Sequence, residues 1–518
     1  MVATLMLLQI SALGIFIHAF FLTISLGFPW VIGGLLYKWW RTKETEYYEA
    51  ARNVTGVLGL NFALGAITGT LVEFGLVQAW PGSIFAIATF GLIPLTLELV
   101  AFLGEIVLLV MFIVTLGKIR AFSSLGIIVA YAAMAALSGV LITTVNSWLN
   151  VPWGTGSLAS NLYPFLPSYG PNSANPTALV SLKLELVKNV FATGTGSQIL
   201  QNPSLARTIG VALTDPYVAF ASPYAWASAL HNVNAGIIVG ISFALVGYAY
   251  RFLKTGKVKY VRILKTFLPL LLLLLVLQPT LLGDFMGKAV AIQQPTKFAL
   301  MEGASSTTQN PLVSFLAYGD PRHPIIGFDT LSNQCNSLGN ATLGKLSSVA
   351  PNVTLGSLSG VSLKSVCLSD LSKSESRLPL INVLYYVKIA SGIVDLAGLL
   401  GLVALNFNLG ILSKVTRRLL SRLGDQRGVF LLSLVVVVSS IFASGLGWFI
   451  REDGRKPWTV YGLLYPEELV TSVPIGPVFV LFAVLFVAVA AIGIYGIYVV
   501  STRRLKFIEL LKKGGGLE

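Results

Sequence analysis

Charge is the scarcest thing in this sequence: Asp, Glu, Lys and Arg make up 11% of its 518 residues, about half the usual share of a soluble chain. So few charges cannot build a polar shell around a fold of this size, which excludes a cytoplasmic enzyme and a nucleic-acid binder. Cysteine is nearly absent, with two residues, so the chain is not a disulfide-stapled secreted module; Cys335 and Cys367, with 31 residues between them, form no zinc or iron–sulfur pattern either. Histidine occurs three times. No G-x-G-x-x-G, Walker, H-E-x-x-H or C-x-x-C-H stretch is present, which argues against nucleotide, zinc-protease and covalently attached haem chemistry.

What is abundant is apolar length. Uninterrupted runs give nine candidate spans, roughly 6–36, 54–78, 84–116, 122–149, 222–250, 262–283, 381–411, 429–450 and 473–500, each able to cross a hydrocarbon core of about 30 Å as a helix. The fold class is therefore an all-α polytopic membrane protein. Its net charge of +14 comes from placement: 22 of the 36 Lys and Arg fall in 38–52, 118–120, 251–265, 414–427 and 503–513, at alternate span ends. The positive-inside rule puts these ends in the cytoplasm, the amino terminus outside and the carboxyl terminus inside a multi-pass protein of the cell membrane. The first run has no basic n-region and is too long for a cleaved signal, so it reads as a retained helix.

Two long segments then lie outside. One, 151–221, is rich in Pro, Gly, Asn and Ser, with a short amphipathic stretch near Leu182–Val190. The other, 284–380, shows little periodicity in its second half and holds both cysteines; an external compartment favours a bridge between them over two free thiols. It also carries the glycosylation sequons Asn340-Ala341-Thr342 and Asn352-Val353-Thr354.

Ionisable groups at membrane depth are costly and mark function. His18 lies in the first span and His231 in the fifth; each is a candidate haem ligand or a structural histidine with one hydrogen-bond partner. Glu73, Glu98 and Glu105 lie in the second and third spans. Glu98 and Glu105, seven apart, share a helix face, which suits a proton path or a haem contact; the plain alternative is a pair of helix-tying hydrogen bonds. After the eighth span comes Glu452-Asp453-Gly454-Arg455-Lys456-Pro457-Trp458, preceded by Arg451. Basic residues at an external end suit acidic groups such as haem propionates, or an interfacial anchor.

These stretches resemble the large subunit (subunit I) of the cytochrome bd quinol oxidase family over nearly the whole chain. The resemblance rests on Ile17-His18, Thr68-Gly69 with Glu73-Phe74, Pro94 to Glu98 with Glu105, Asn146-Ser147-Trp148, His231-Asn232, Gln294-Pro295-Thr296-Lys297 with Glu302, and Gly447-Trp448 running on to Gly454-Arg455-Lys456-Pro457-Trp458. It implies that His18, Glu98 and Glu452 contact a pair of high-spin haems, one haem b and one haem d or a third haem b. It implies that His231 ligates a low-spin haem b, that Lys297 and Glu302 form the quinol site, that Glu105 belongs to a proton route, and that Arg455 and Trp448 belong to the cofactor-binding set. On that basis 1–150 holds helices one to four with high-spin ligands, 151–221 is an external loop, 222–283 holds helices five and six, 284–380 is the quinol loop and 381–518 holds helices seven to nine. Membrane quinol, O2, a subunit II-like partner and small single-span subunits are the implied partners.

The sequence departs from the family in two places. Glu98 and Glu105 are seven apart where the family has eight, and the seventh span offers Lys388 where the family places a methionine ligand, with Tyr386 in place of an arginine. Lys388 can ligate iron as a neutral amine or pair with a propionate. The expected function is a respiratory oxidase passing electrons from quinol to O2 without proton pumping. A divergent paralogue with another donor is the near alternative. A secondary transporter, which would explain buried carboxylates but not the histidines, is the distant one.

Overall fold

The structure is a computed structural model, and it describes residues 2–80, 82, 87, 90–175, 177–180, 215, 217–348, 359–470 and 476–502. The amphipathic stretch at 182–190, the sequon at Asn352 and the basic cluster 503–513 lie outside the described residues.

Among the described residues, nine helices are long and apolar enough to span a membrane. They are α1 (Val2–Thr42), α2 (Thr45–Ala79), α3 (Leu92–Thr115), α4 (Ala121–Asn150), α5 (Pro223–Thr255), α6 (Val258–Gln293), α7 (Leu378–Phe407), α8 (Asp425–Asp453) and α9 (Gly476–Thr502). Hydrocarbon offers no partner to a backbone N–H or C=O, so these runs close their hydrogen bonds within the helix. Leu103, Val107, Val110 and Val114 of α3 and Val484, Ile492 and Tyr495 of α9 remain exposed, as side chains facing lipid or another subunit do.

The most enclosed helix is α5, packed against α1, α4, α6 and α8. Its crossing with α1 is a backbone contact: a Cβ on Gly240 would lie 2.1 Å from the Thr23 carbonyl oxygen, and one on Gly27 would lie 2.5 Å from the Ile241 nitrogen. Glycine is required at both positions, because neither backbone can yield. The remaining long contacts pair α1 with α2, α3 with α4, α7 with α8 and α2 with α9.

At one end, the basic end, the connections are short, as at 43–44 and 116–120. At the other, the longer segments fold together into a cap over a buried cluster that includes Trp458, Tyr163, Tyr169, Tyr461 and Phe328. The cap holds a two-stranded antiparallel sheet, β1 (Thr155–Gly156) and β2 (Tyr169–Asn172). The segment after α6 is more regular than its sequence suggests: helices run at Pro295–Glu302, Pro311–Tyr318, Phe328–Asn336 and Leu363–Glu375. The first two each begin at a proline and stop at a left-handed glycine, Gly303 (φ 68°) and Gly319 (φ 75°). Cys335 and Cys367 are bonded and tie Phe328–Asn336 to Leu363–Glu375.

One boundary moves. The sixth span extends to Gln293, ten residues past its expected end at 283, because Pro279 does not end the helix. A π-helical segment, Gln278–Gly283, absorbs it and the helix resumes at Asp284.

Candidate functional site

His18 of α1 faces Thr68 of α2, with Nδ1 3.1 Å from the threonine Oγ1. The single hydroxyl hydrogen of Thr68 is directed to its own helix, at the carbonyls of Leu64 (2.9 Å) and Gly65 (3.0 Å). Toward His18 the hydroxyl can therefore only accept, so Nδ1 carries the hydrogen and Nε2 keeps its lone pair. Gly69 makes room for the ring, since a Cβ there would lie 2.9 Å from His18 Cε1. On α3, Glu98 and Glu105 share a face as their spacing predicts, and both reach Ser138 of α4, whose hydroxyl donates to Glu98 Oε1 at 3.0 Å. Glu105 is buried. Glu73 is on the exposed side of α2, within electrostatic reach of Glu98.

Where α8 meets the cap, positive groups outnumber negative ones. Glu452 accepts from Asn146 Nδ2 (3.1 Å) and from Arg455. Arg451 donates to Ser228 and, at 3.1 Å, to Ser147; its guanidinium lies 5.1 Å from the ring centre of Trp448 and 5.9 Å from that of Tyr224. Lys297 is buried, donating to Arg451 O (3.0 Å), Gln294 Oε1 (3.2 Å) and Asn150 Oδ1 (3.3 Å). Desolvation, reinforced by Arg451, holds its amine well below the usual lysine range. Gln294 locks the same corner by donating to Asn150 O at 2.9 Å. Asp453 is engaged by Arg377, which leaves Glu452 facing Arg451, Arg455 and Lys297, with Lys456 beside them. Arg455 Nε and Nη1 and Arg451 Nε are buried with no hydrogen-bond partner. Buried donors without acceptors, in an excess of positive charge, fit an anionic ligand.

His231 of α5 meets the π-helical segment of α6. Gln278 donates to the His231 carbonyl oxygen (3.1 Å), and its amide nitrogen is 3.2 Å from His231 Nε2. Asn234 donates to Gln278 Oε1 at 2.6 Å, which fixes which end of the amide faces the imidazole. Iron on Nε2 therefore requires Gln278 to turn aside; Nδ1 is buried without a hydrogen-bond partner. Lys388 of α7 is within electrostatic reach of His231 and has no hydrogen-bond or ion-pair partner among the described residues. Its Nζ lies 6.0 Å from the ring centre of Tyr385.

Lys297 and Glu302, expected as a pair, are not hydrogen-bonded to each other. Five residues apart on one helix, they point to different sides, and Glu302 accepts instead from Tyr386 at 3.3 Å. Burial raises the Glu302 carboxyl above its ordinary range, and the Tyr386 hydroxyl opposes that rise. His323 sits in the cap stacked on Tyr318 at 3.8 Å, remote in role from the other histidines. The sequence reading named Thr68 without a role and missed Ser138 and Gln278, the three that contact the histidines and carboxylates, and also Asp395, a buried carboxylate in α7. A lone Asp inside an apolar run was signal enough for the last; the other three look like ordinary helix residues.

Among the described residues no three His, Cys, Asp or Glu side chains converge as a self-contained metal site. A porphyrin brings its own ring of donors and asks the protein for one or two axial groups and a cradle for its carboxylates. His18 Nε2, the His231–Lys388 pocket and the unpaired guanidinium donors fit those needs.

The sequence pattern of the family described as cytochrome bd terminal oxidase subunit I matches residues 8–506. A Bacillus subtilis (strain 168) protein provisionally named cytochrome bd menaquinol oxidase subunit I is 22% identical over 489 residues, covering 92% of each chain. The fold is similar to that of the bd oxidase from Geobacillus thermodenitrificans, with a TM-score of 0.68, 18% identity, and 97% of this chain and 99% of that one covered.

Proposed function

The chain belongs to the cytochrome bd terminal oxidase subunit I family, and from that premise we propose that it carries three haems, oxidises membrane quinol in the cap and delivers the electrons to O2. The observation that carries this reading is the cluster at the end of α8, where Arg451, Arg455 and Lys297 surround Glu452 with guanidinium donors left over. When bound, haem supplies the one-electron and oxygen chemistry.

The residues of the chain do the rest. Glu302, its carboxyl raised by burial, is placed to take a proton from quinol, with Tyr386 as its hydrogen-bond partner. Lys297 holds the start of that helix against α4 and α8, tying the quinol side to the cofactor side. Arg451 and Arg455 neutralise carboxylate edges of the cofactors, with Trp448 against Arg451. His18 offers Nε2 to one high-spin haem, and Glu98 and Glu452 contact the high-spin pair. Ser138, bridging Glu98 and Glu105, hands protons along α3. His231 and Lys388 hold the low-spin haem b; the third haem is of d or b type.

The basic helix ends face the cytoplasm and the cap faces outside. Protons released from quinol then leave on one side while those used for O2 come from the other, so charge separates without a pumping step. The protein sits in the cell membrane with a subunit II-like partner and small single-span subunits, whose seats are the apolar faces of α3 and α9. A second reading, a paralogue with a different electron donor, is favoured by Tyr386 contacting Glu302 where the family places an arginine.

The test is a reduced-minus-oxidised absorption spectrum of the purified complex, with pyridine haemochrome quantification and quinol-dependent oxygen uptake. Three haems with uptake are expected. Haems without quinol-dependent uptake would favour the altered donor, and a complex without haem would overturn the reading and bring the transporter forward.

A further inference from the structure

Besides Lys388, α7 carries one other Asp, Glu, Lys, Arg or His, Asp395, seven residues on and so on the same face two turns away. The facing helix answers in register. Gly447 of α8 lies against Lys388, where a Cβ would be 3.5 Å from Lys388 Cε, and Ser440, seven residues back, donates to Asp395 Oδ2 at 2.5 Å. Ser242 of α5 is 3.5 Å from Ser440. Asp395 is 1% exposed, and its Oδ1 is buried with no partner.

From α8, then, one hydroxyl meets this carboxyl, with Ser242 of α5 beyond it; among the described residues no Lys, Arg or His pairs with it, including Lys259, Arg262, Lys265 and Lys288 of α6, the other long helix packed against α7. Its nearest ionisable neighbour on the same face is Lys388, about 10 Å up the helix at 1.5 Å per residue. A carboxylate ionised in hydrocarbon with one hydroxyl donor is too costly to be a structural tie, since a hydrophobic residue would pack there without penalty. Among the described residues no group of three His, Cys, Asp or Glu side chains gathers here to hold a metal cation. The remaining ligand is a proton.

Nearby charge sets its occupancy: positive charge in the His231–Lys388 pocket favours the carboxylate, and neutralising that charge favours the proton. At about 10 Å and an effective dielectric near 20, one unit of charge changes proton affinity on the order of tenfold.

We propose that Asp395, with Ser440 and Ser242, is a proton-holding site in the α5–α7–α8 seam, filled when an electron reaches the His231–Lys388 pocket and emptied when the electron leaves. A haem held at that pocket would take up the electron that quinol gives, and the carboxylate would gain one proton from the side where α7 ends and α8 begins. Ser433, two turns from Ser440 and buried on the same face of α8, lies on that side. The electron in this scheme rests on the haem reading above; the polar seam itself does not.

The experiment is a redox-induced infrared difference spectrum of the whole complex, with the low-spin haem midpoint potential measured against pH, for wild type, Asp395→Asn and Asp395→Glu. In the wild type, a band in the carbonyl-stretch region of protonated carboxylic acids is expected to appear on reduction. The potential is expected to fall with rising pH by up to a tenfold change in equilibrium constant per unit, about 59 mV for one electron. Asp395→Asn should lose the band and flatten the slope, while Asp395→Glu keeps a shifted band, which separates proton holding from mere packing if the asparagine variant assembles poorly. Bound low-spin haem with the same carbonyl band and slope in Asp395→Asn would overturn the inference and leave the oxidase reading standing. A complex with no haem at all would remove that reading, and the redox-linked site with it.

Discussion

Replacing Thr68 with valine removes one hydroxyl from a fully buried position while keeping the β-branched shape, so α2 packs as before. The hydroxyl is a hydrogen-bond partner of His18 Nδ1, at 3.1 Å, and the Gly65 carbonyl lies within reach of the ring as well. Without the hydroxyl the imidazole loses a buried hydrogen bond, a cost of about 1–3 kcal/mol, and the tautomer that presents Nε2 is held less firmly. The same loss can be expressed as ligand affinity: removing the second partner of a metal-bound imidazole weakens binding by about 10–100-fold, or about 1.4–2.7 kcal/mol. We expect Thr68→Val to give a complex that loses high-spin haem to apomyoglobin 10–100-fold more readily, with its high-spin absorption reduced and its low-spin band intact. Thr68→Ser, which keeps the acceptor, should restore retention. Haem retention in Thr68→Val equal to wild type, or equal losses in the serine and valine variants, would refute the assignment of Nε2 as the ligating atom.

Lys388→Met restores the residue type the family uses and is expected to move the low-spin haem to a higher potential with its low-spin spectrum retained, whereas Lys388→Ala should yield a partly high-spin species; identical spectra in all three would show that Lys388 does not face the iron. Tyr386→Phe removes the donor that favours the Glu302 carboxylate. Its carboxyl then rises further, and the acid limb of quinol oxidation should move to higher pH by about 0.5–1 unit; a limb that stays put would separate Glu302 from the quinol step. Gly240→Ala pushes a methyl to 2.1 Å from the Thr23 carbonyl, so α1 and α5 must part. A loss of at least about 1–3 kcal/mol is expected, read as a lower unfolding temperature in detergent, and an unchanged melting curve would mean the helices do not touch there.

Much of the fold was legible because hydrocarbon imposes one rule on every span. All nine helices stand where the apolar runs are, and the basic residues of 38–52, 251–265 and 414–427 gather at one end. The shared face of Glu98 and Glu105 followed from helical spacing, and the Cys335–Cys367 bond from compartment chemistry. The extension of α6 did not, because a proline reads as a stop and a π-helical turn that absorbs it has no pattern of its own. Nor could spacing show that Lys297 and Glu302 diverge, since that depends on which neighbours wait on each side: Asn150 and Arg451 for one, Tyr386 for the other. Asp395 was visible as a letter, but its meaning came only with Ser440 and Ser242, from helices adjacent in space and distant in sequence.

The contact between Gly27 and Gly240 has a meaning in time as well as in space. Roughly two hundred residues separate the two glycines, so at about 5–20 residues per second the ribosome needs on the order of 10–40 s to deliver the second after the first. During that interval α1 and α2 already exist as a hairpin, and His18 and Thr68 can meet. The centre of the bundle cannot close until α5 arrives, and the cation cluster at the end of α8 is synthesised later still. Biosynthesis thus builds the surroundings of His18 first, those of His231 second and the cation cluster last, an order in which the earliest of the proposed cofactor positions waits longest for the residues that seal it.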